Sequence, residues 1–237
     1  DTLLVDNAIA IQMPYESDDD NIASATISTA QNAGWIWDIG LQSRRGTGHV
    51  YSSQFISHDE AEHTLREYLG PKSQDLAAKH IKMNCGYREK FWHKNCVAIG
   101  LSAAFVEPLE ASAIFLIEAS ANMVAELFPR NKQLMNSSAQ TFNDSFGYRW
   151  RKTIDFIKLH YVLSNRNSAF WQANQDPSTI PASLSHTLEQ WQHRPISKYD
   201  FANVFEPFPQ DSYQYVLYGM GYHPDLSMSQ SSYNSRN

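Results

Sequence analysis

Apolar and polar positions alternate at strand spacing through the first third of the chain, then change to helical spacing. Residues 3–13 are apolar and rich in β-formers, so they predict a strand that the charged turn Asp18-Asp19-Asp20-Asn21 ends. The run Trp35-Ile36-Trp37-Asp38-Ile39-Gly40-Leu41 is answered by His49-Val50-Tyr51-Ser52-Ser53-Gln54-Phe55-Ile56, which predicts a hairpin with Gly46-Thr47-Gly48 as its turn. Period two puts Trp35, Trp37 and Ile39 on one face of the first strand. A helix follows, opened by Ser57 as N-cap with Glu60 three residues later, and closed by Gly70-Pro71. Residues 81–87 read as extended and residues 97–99 as a short buried strand.

Beyond Pro108 the pattern is helical. Residues 109–127 carry apolar side chains on nearly every face, with Glu110, Glu118 and Glu126 as the charged positions, and predict a mostly buried helix. A long amphipathic stretch covers 135–163, with shorter helical pieces around Phe170 and over 181–193. Pro207, Pro209, Gly219, Gly221 and Pro224 make the last part irregular, and residues 227–237 read as a frayed polar tail. The expected class is α+β: a sheet-containing unit, 1–108, and a helical unit, 109–237, sharing the 109–127 helix and packed together without a linker.

Composition narrows the function. The 237 residues are 42% hydrophobic and 19% charged, enough for a real core, and no apolar run approaches the roughly 18 to 20 residues of a membrane span. Nineteen basic against 25 acidic side chains leave a formal charge of -6, so neither nucleic acid nor a membrane is expected as partner. Cys85 and Cys96 lack metal-ligand spacing and read as reduced core thiols in a cytoplasmic protein. Asp1-Thr2-Leu3-Leu4-Val5-Asp6 has no basic or apolar leader pattern, so the chain is expected to be cut from something longer.

The densest candidate chemistry is Gly100-Leu101-Ser102-Ala103-Ala104-Phe105-Val106-Glu107-Pro108-Leu109-Glu110-Ala111-Ser112-Ala113. Small residues let a ligand approach the backbone, and Pro108 suits the first turn of a helix whose free N–H groups favour an anion. Glu110 in that turn reads either as an ordinary helix-start acid or as a functional carboxylate. Trp35 and Trp37 are either core or the wall of a flat heteroaromatic site. His160-Tyr161, with Asp155 and Arg166 nearby in sequence, offers a base or anion clamp, or a structural histidine. Arg149-Trp150-Arg151-Lys152 reads as a solvated helix face, and Gly46-Thr47-Gly48 lacks the third glycine of a dinucleotide fingerprint.

In order along the chain, Gly34-Trp35-Ile36-Trp37-Asp38-Ile39-Gly40, Gly48-His49-Val50-Tyr51-Ser52-Ser53, Asn95-Cys96-Val97-Ala98-Ile99-Gly100-Leu101-Ser102, Phe105-Val106-Glu107-Pro108-Leu109-Glu110, Asp155-Phe156-Ile157-Lys158-Leu159-His160-Tyr161, Phe170-Trp171 and Tyr218-Gly219-Met220-Gly221 resemble the flavin-dependent tryptophan halogenase family. The resemblance implies the C-terminal part of an FAD-binding module like that of aromatic hydroxylases, with antiparallel sheet, followed by a mainly helical substrate module. It implies reduced FAD supplied by a separate flavin reductase, oxygen, and chloride or bromide as co-substrate. A flavin hydroperoxide then oxidises the halide to hypohalous acid, which halogenates an indole-type or tryptophan-like ring. By position, Glu110 matches the catalytic glutamate, and Ser112 and Ala113 match the residues whose amides hold the halide. Gly100, Leu101, Ser102, Ala103, Ala104 and Phe105 would lie along the flavin. Trp35, Trp37 and Ile39 match a Trp-x-Trp-x-Ile-Pro signature near its face.

Departures are also visible. Gly40 stands where that signature has proline, Ala111 where a serine is usual and Ala104 where glycine is usual. No Tyr-Tyr and downstream Glu pattern for gripping free tryptophan appears between Phe201 and Tyr215, and no lysine matches the family's catalytic one, so the fragment alone is expected to be inactive. Alternatives are a flavin-dependent aromatic monooxygenase and a non-catalytic flavin or aromatic-ligand binding protein; a homodimer is left open.

Overall fold

Two apolar faces build the sheet. A computed structural model describes residues 2–17, 20–201 and 203–226. In it β1 (Asn7–Pro14), β2 (Ile27–Gln31), β3 (Gly34–Gly40), β4 (Arg44–Tyr51) and β5 (Ala78–Lys82) form an antiparallel sheet in the order β2-β3-β4-β1-β5. Strand alternation sends Ile9, Ile11, Met13, Ile36 and Tyr51 to one side, against Ala61, Leu65 and Leu69 of α1 (His58–Leu69). It sends Ala8, Trp35 and Val50 to the other side, into a larger core shared with the helical half. The start of α1 is set locally: Ser57 Oγ accepts from the Glu60 amide, and the Glu60 carboxylate accepts from the Ser57 amide.

The short strands β6 (Gly86–Tyr87), β7 (Trp92–His93), β8 (Cys96–Val97) and β9 (Ala104–Phe105) make two small ladders, β6 with β9 and β7 with β8. They lead to α2 (Ala113–Glu126) and the central α3 (Met135–Val162), whose 28 residues span roughly 42 Å. At helical spacing, Phe142, Phe146, Trp150, Ile157 and Tyr161 of α3 enter the core under the sheet. Phe156 and Leu159 face instead a satellite core with Leu184 and Trp191 of α5 (Ala182–His193) and Tyr213 and Leu217 of α6 (Gln210–Gly219). The short α4 (Ala169–Gln175) buries Phe170 and Trp171 beside Tyr161. Asn143 of α3 ties down the β7 loop, accepting from the amides of Phe91 and Trp92 at 2.9 and 2.8 Å. The chain is thus a mixed α+β fold in which the sheet and α3 hold the connecting segment 98–112 between them.

Several expectations are corrected. Gly46-Thr47-Gly48 is not a turn but lies inside β4; the hairpin turns at Leu41-Gln42-Ser43. Gly48 is there because the Trp37 indole lies across it: an added Cβ would stand 2.2 Å from that ring and 2.5 Å from the Ile9 carbonyl oxygen. The expected strand over 3–13 begins only at Asn7, and that over 97–99 shrinks to Cys96–Val97, with Ile99 exposed. The 81–87 stretch divides into the end of β5 and β6.

The helix expected from 109 starts at Ala113. Pro108 nucleates a single 3₁₀ turn, Pro108–Glu110, and Ala111 then breaks it at φ 50°, in the left-handed region. Nor is α2 mostly buried: Leu116, Ala119 and Met123 face the core, while Ile114 (78% exposed), Phe115 and Ile117 face outward. Cys96 is exposed rather than a core thiol, and Cys85 is half-buried; both are free. The 149–152 stretch is only partly a solvated face, since Trp150 is buried and the Arg149 guanidinium stacks on Phe115 and Phe205. The acidic turn expected at 18–21 and the polar tail at 227–237 fall partly and wholly outside the described residues. Among the described residues no helix is long and apolar enough to cross a membrane.

Candidate active site

The segment from Gly100 to Ala113 sits where β9, α2 and α3 converge. Gly100, at φ 58° and close to Ile117 of α2, turns the chain after β8 into a 3₁₀ turn that leaves Leu101 78% exposed. Ile114 and Ile117 of α2 are likewise exposed. The turn then dives inward: Ala103, Ala104 and Val106 are buried, and Glu107 is 1% exposed.

Two acids three residues apart on this turn meet two consecutive residues of α3. Glu110 Oε1 lies 2.8 Å from His160 Nε2, with side-chain exposures of 29% and 21%. His160 Nδ1 lies 2.9 Å from the Phe156 carbonyl oxygen, one turn back on α3. A carbonyl only accepts, so Nδ1 carries hydrogen, and in a neutral imidazole Nε2 is then bare. A 2.8 Å contact between a bare Nε2 and a carboxylate would set two lone pairs against each other. The pair therefore holds one further proton, as imidazolium with carboxylate or as imidazole with carboxylic acid. Asp155, grouped with His160 by sequence, instead accepts from Ser183, and Arg166 is not part of the pair.

Glu107 was not singled out by sequence, yet it is the most perturbed acid of the site. Its Oε2 accepts from Trp35 Nε1 at 2.8 Å and from the Tyr161 hydroxyl, while Oε1 has no partner among the described residues. Burial pushes its carboxyl up to about 7, against the opposing pull of the Tyr161 and Trp35 hydrogen bonds and the charges of His160 and Lys158. Burial likewise pushes Lys158 down to about 8; its ammonium donates to Asn174 Oδ1 at 2.9 Å and Thr179 Oγ1 at 3.1 Å.

The other sequence candidates are placed as follows. Ser112 is the buried residue at the start of α2, and no side chain caps that start. Its carbonyl accepts from the Leu116 amide, as at an ordinary helix entry. Trp35 is 3% exposed and spends its indole N–H on Glu107, so it meets the site through that acid. Trp37 is half-buried over Gly48, its ring 6.4 Å from that of Trp35, and Ile39 is exposed at the far end of β3. Ser102 Oγ donates to the Ile99 carbonyl, and Phe105 pairs with Gly86. Nothing local marks Glu107 in the sequence: Glu118, also flanked by apolar residues, is exposed.

A sequence profile of the tryptophan halogenase family matches residues 1–233. Tryptophan 6-halogenase SttH of Streptomyces toxytricini is 38% identical over 224 residues, covering 93% of this chain and 42% of that protein. Tryptophan 7-halogenase RebH of Lentzea aerocolonigenes is 37% identical over 179 residues, 74% of this chain and 33% of the relative. The crystal structure of tryptophan halogenase from Shewanella frigidimarina superposes with a TM-score of 0.91 at 42% identity, over 98% of this chain and 46% of that one. The chain spans less than half the length of these relatives. With the family profile matched over residues 1–233 and the fold shared with a solved member, the chain belongs to the tryptophan halogenase family.

Proposed function

We propose that the complete protein is an FAD-dependent halogenase that uses reduced FAD, oxygen and chloride or bromide to halogenate an indole-type aromatic ring, and that this chain supplies the acid, the halide seat and one flavin-facing surface. The observation that carries the reading is the Glu110–His160 pair standing beside the uncapped start of α2. The residues present suit a flavin. Ile99, Leu101, Ile114 and Ile117 offer exposed apolar surface for a flat ring system, and at Gly100 an added Cβ would stand 3.7 Å from its nearest neighbour, so nothing crowds the backbone there. When bound, reduced FAD supplies the activation of oxygen by which a halide becomes an electrophile.

The chain's own residues do the rest. The amides of Ser112 and Ala113, at the positive end of α2, favour a halide. Electrophilic substitution leaves a cationic ring that must lose a proton from the halogenated carbon, and Glu110 as carboxylate accepts it. The new C–halogen bond remains, the C–H electron pair restores the aromatic ring, and His160 holds the carboxyl in place throughout. Gly100 to Phe105 form the flavin-side backbone, with Trp35 tied to the same segment through Glu107 and Trp37 packed against the same core. A separate flavin reductase provides the reduced cofactor. The missing Tyr-Tyr and Glu grip between Phe201 and Tyr215 favours an electron-rich arene over free tryptophan as acceptor.

The test is to incubate the complete protein with chemically reduced FAD, oxygen, bromide and indole and to follow products by mass spectrometry. Brominated indole is expected, and Glu110→Gln should lower its rate by about 10² to 10⁴-fold. Hydroxylated product without bromination, or a Glu110→Gln variant as active as the parent, would overturn the reading.

A further inference from the structure

The turn that carries Glu110 contains a second acid for which the proposed chemistry has no use. Glu107 reaches no surface, yet it joins its own turn to two segments remote in sequence. Trp35 of β3, 72 residues away, and Tyr161 of α3, 54 residues away, both donate to its Oε2. Its Oε1 is buried and unpartnered among the described residues. Two donors ask for an acceptor and not for a charge, and a buried carboxylate costs free energy. The adjacency on α3 is the second observation. Tyr161, bound to Glu107, directly follows His160, bound to Glu110. The groups facing Glu107 are Tyr161, His160 and Lys158 from α3, Trp35 from β3, and Cys85 from the segment between β5 and β6. Asp6 acts on Cys85 in turn. Lys158 is held by Asn174 and Thr179 rather than by an acid.

We propose that Glu107 is a positioning residue of this site: buried beneath the turn that bears Glu110, it locks that turn to β3 and α3 through Trp35 and Tyr161, and its charge biases the proton shared by His160 and Glu110 toward the imidazole. An ionised Glu107 favours a cation on α3 beside it, so Glu110 stays a carboxylate ready to accept a proton. A protonated Glu107 withdraws that support, and the shared proton moves toward Glu110. The clamp runs through the two hydrogen bonds to Trp35 and Tyr161, and the bias through the charge of the same carboxylate. The kinetic part of this inference rests on the halogenase reading; the structural part does not.

The test follows the His160 imidazole by nitrogen NMR in the complete protein, assigned with His160→Gln. In the parent, the His160 signals should step near pH 7, where Glu107 titrates. In Glu107→Gln that step should vanish while Nδ1 stays hydrogen-bonded. Tyr161→Phe removes one donor to the carboxylate, so the step should move to higher pH; this variant decides the matter if Glu107→Gln does not fold. Bromination by Glu107→Gln should fall by roughly ten- to a hundredfold, as expected for misplaced acid–base geometry, with the limb near pH 7 lost from its rate profile. Identical pH dependence of the His160 nitrogen signals in parent and both variants would overturn the inference. A step that follows Glu107 in a protein that never halogenates would uphold it and defeat the proposed function instead.

Discussion

Replacing Glu107 by Gln changes how stability depends on pH, by an amount the structure sets. Burial raises this carboxyl from 4.5 to about 7 in the folded chain. The folded state therefore keeps a proton that the unfolded state releases, and stability from this group is fully present below pH 4.5 and is lost as pH rises to about 7. At about 1.4 kcal/mol per pH unit, the linkage amounts to roughly 3 kcal/mol. Glutamine keeps an acceptor for Trp35 and Tyr161 but puts an amide NH₂ where Oε1 has no partner, a cost of about 1–3 kcal/mol that does not vary with pH. Denaturant unfolding of parent and variant at several pH values between 4.5 and 8 separates the two effects. The constant offset reports the amide, and the divergence of the curves reports the charge. The variant should gain relative to the parent by roughly 3 kcal/mol across the window. Parallel curves would refute the assignment of a buried, raised carboxyl to Glu107.

Three further outcomes follow from other parts of the fold. Gly48→Ala forces a Cβ to 2.2 Å from the Trp37 ring and 2.5 Å from the Ile9 carbonyl, and should cost about 1–3 kcal/mol in thermal unfolding, whereas Gly46→Ala, with its nearest atom at 3.5 Å, should not. Ala111→Gly relieves the left-handed backbone at φ 50° and should stabilise by about 1 kcal/mol, while bromination slows because the turn bearing Glu110 loosens. Lys158 is pushed down to about 8, so in the parent stability should rise from pH 8 toward 10, a rise that Lys158→Met should abolish in the same unfolding assay.

What the sequence disclosed was mostly local. The Ser57–Glu60 box, the Gly70-Pro71 stop and the long α3 pattern depend on neighbours within a turn or two, and each appears in the fold. Gly46-Thr47-Gly48 misled because glycines usually mark turns; here Gly48 makes room for an indole on the facing strand, a long-range requirement. Pro108 was read as opening the helix itself, whereas it opens only a 3₁₀ turn, and the left-handed Ala111 that stops it leaves no compositional trace. The outward apolar face of α2 read as core because periodicity reports which side chains are apolar, not what covers them. In the candidate site, the Glu110 turn was legible as a motif, while its partner His160 looked structural. Glu107 passed unnoticed, since its burial and its donors come from residues 72 and 54 positions away.

The central claim is that the start of α2 seats a halide beside the proton-sharing Glu110. Anomalous diffraction from crystals of the complete protein grown with bromide tests it most directly. A bromide peak within hydrogen-bonding reach of the Ser112 and Ala113 amides, with Glu110 still against His160, is the result expected. Those amides taken up by protein acceptors, with no bromide before them and Glu110 turned out to bulk water, would contradict it.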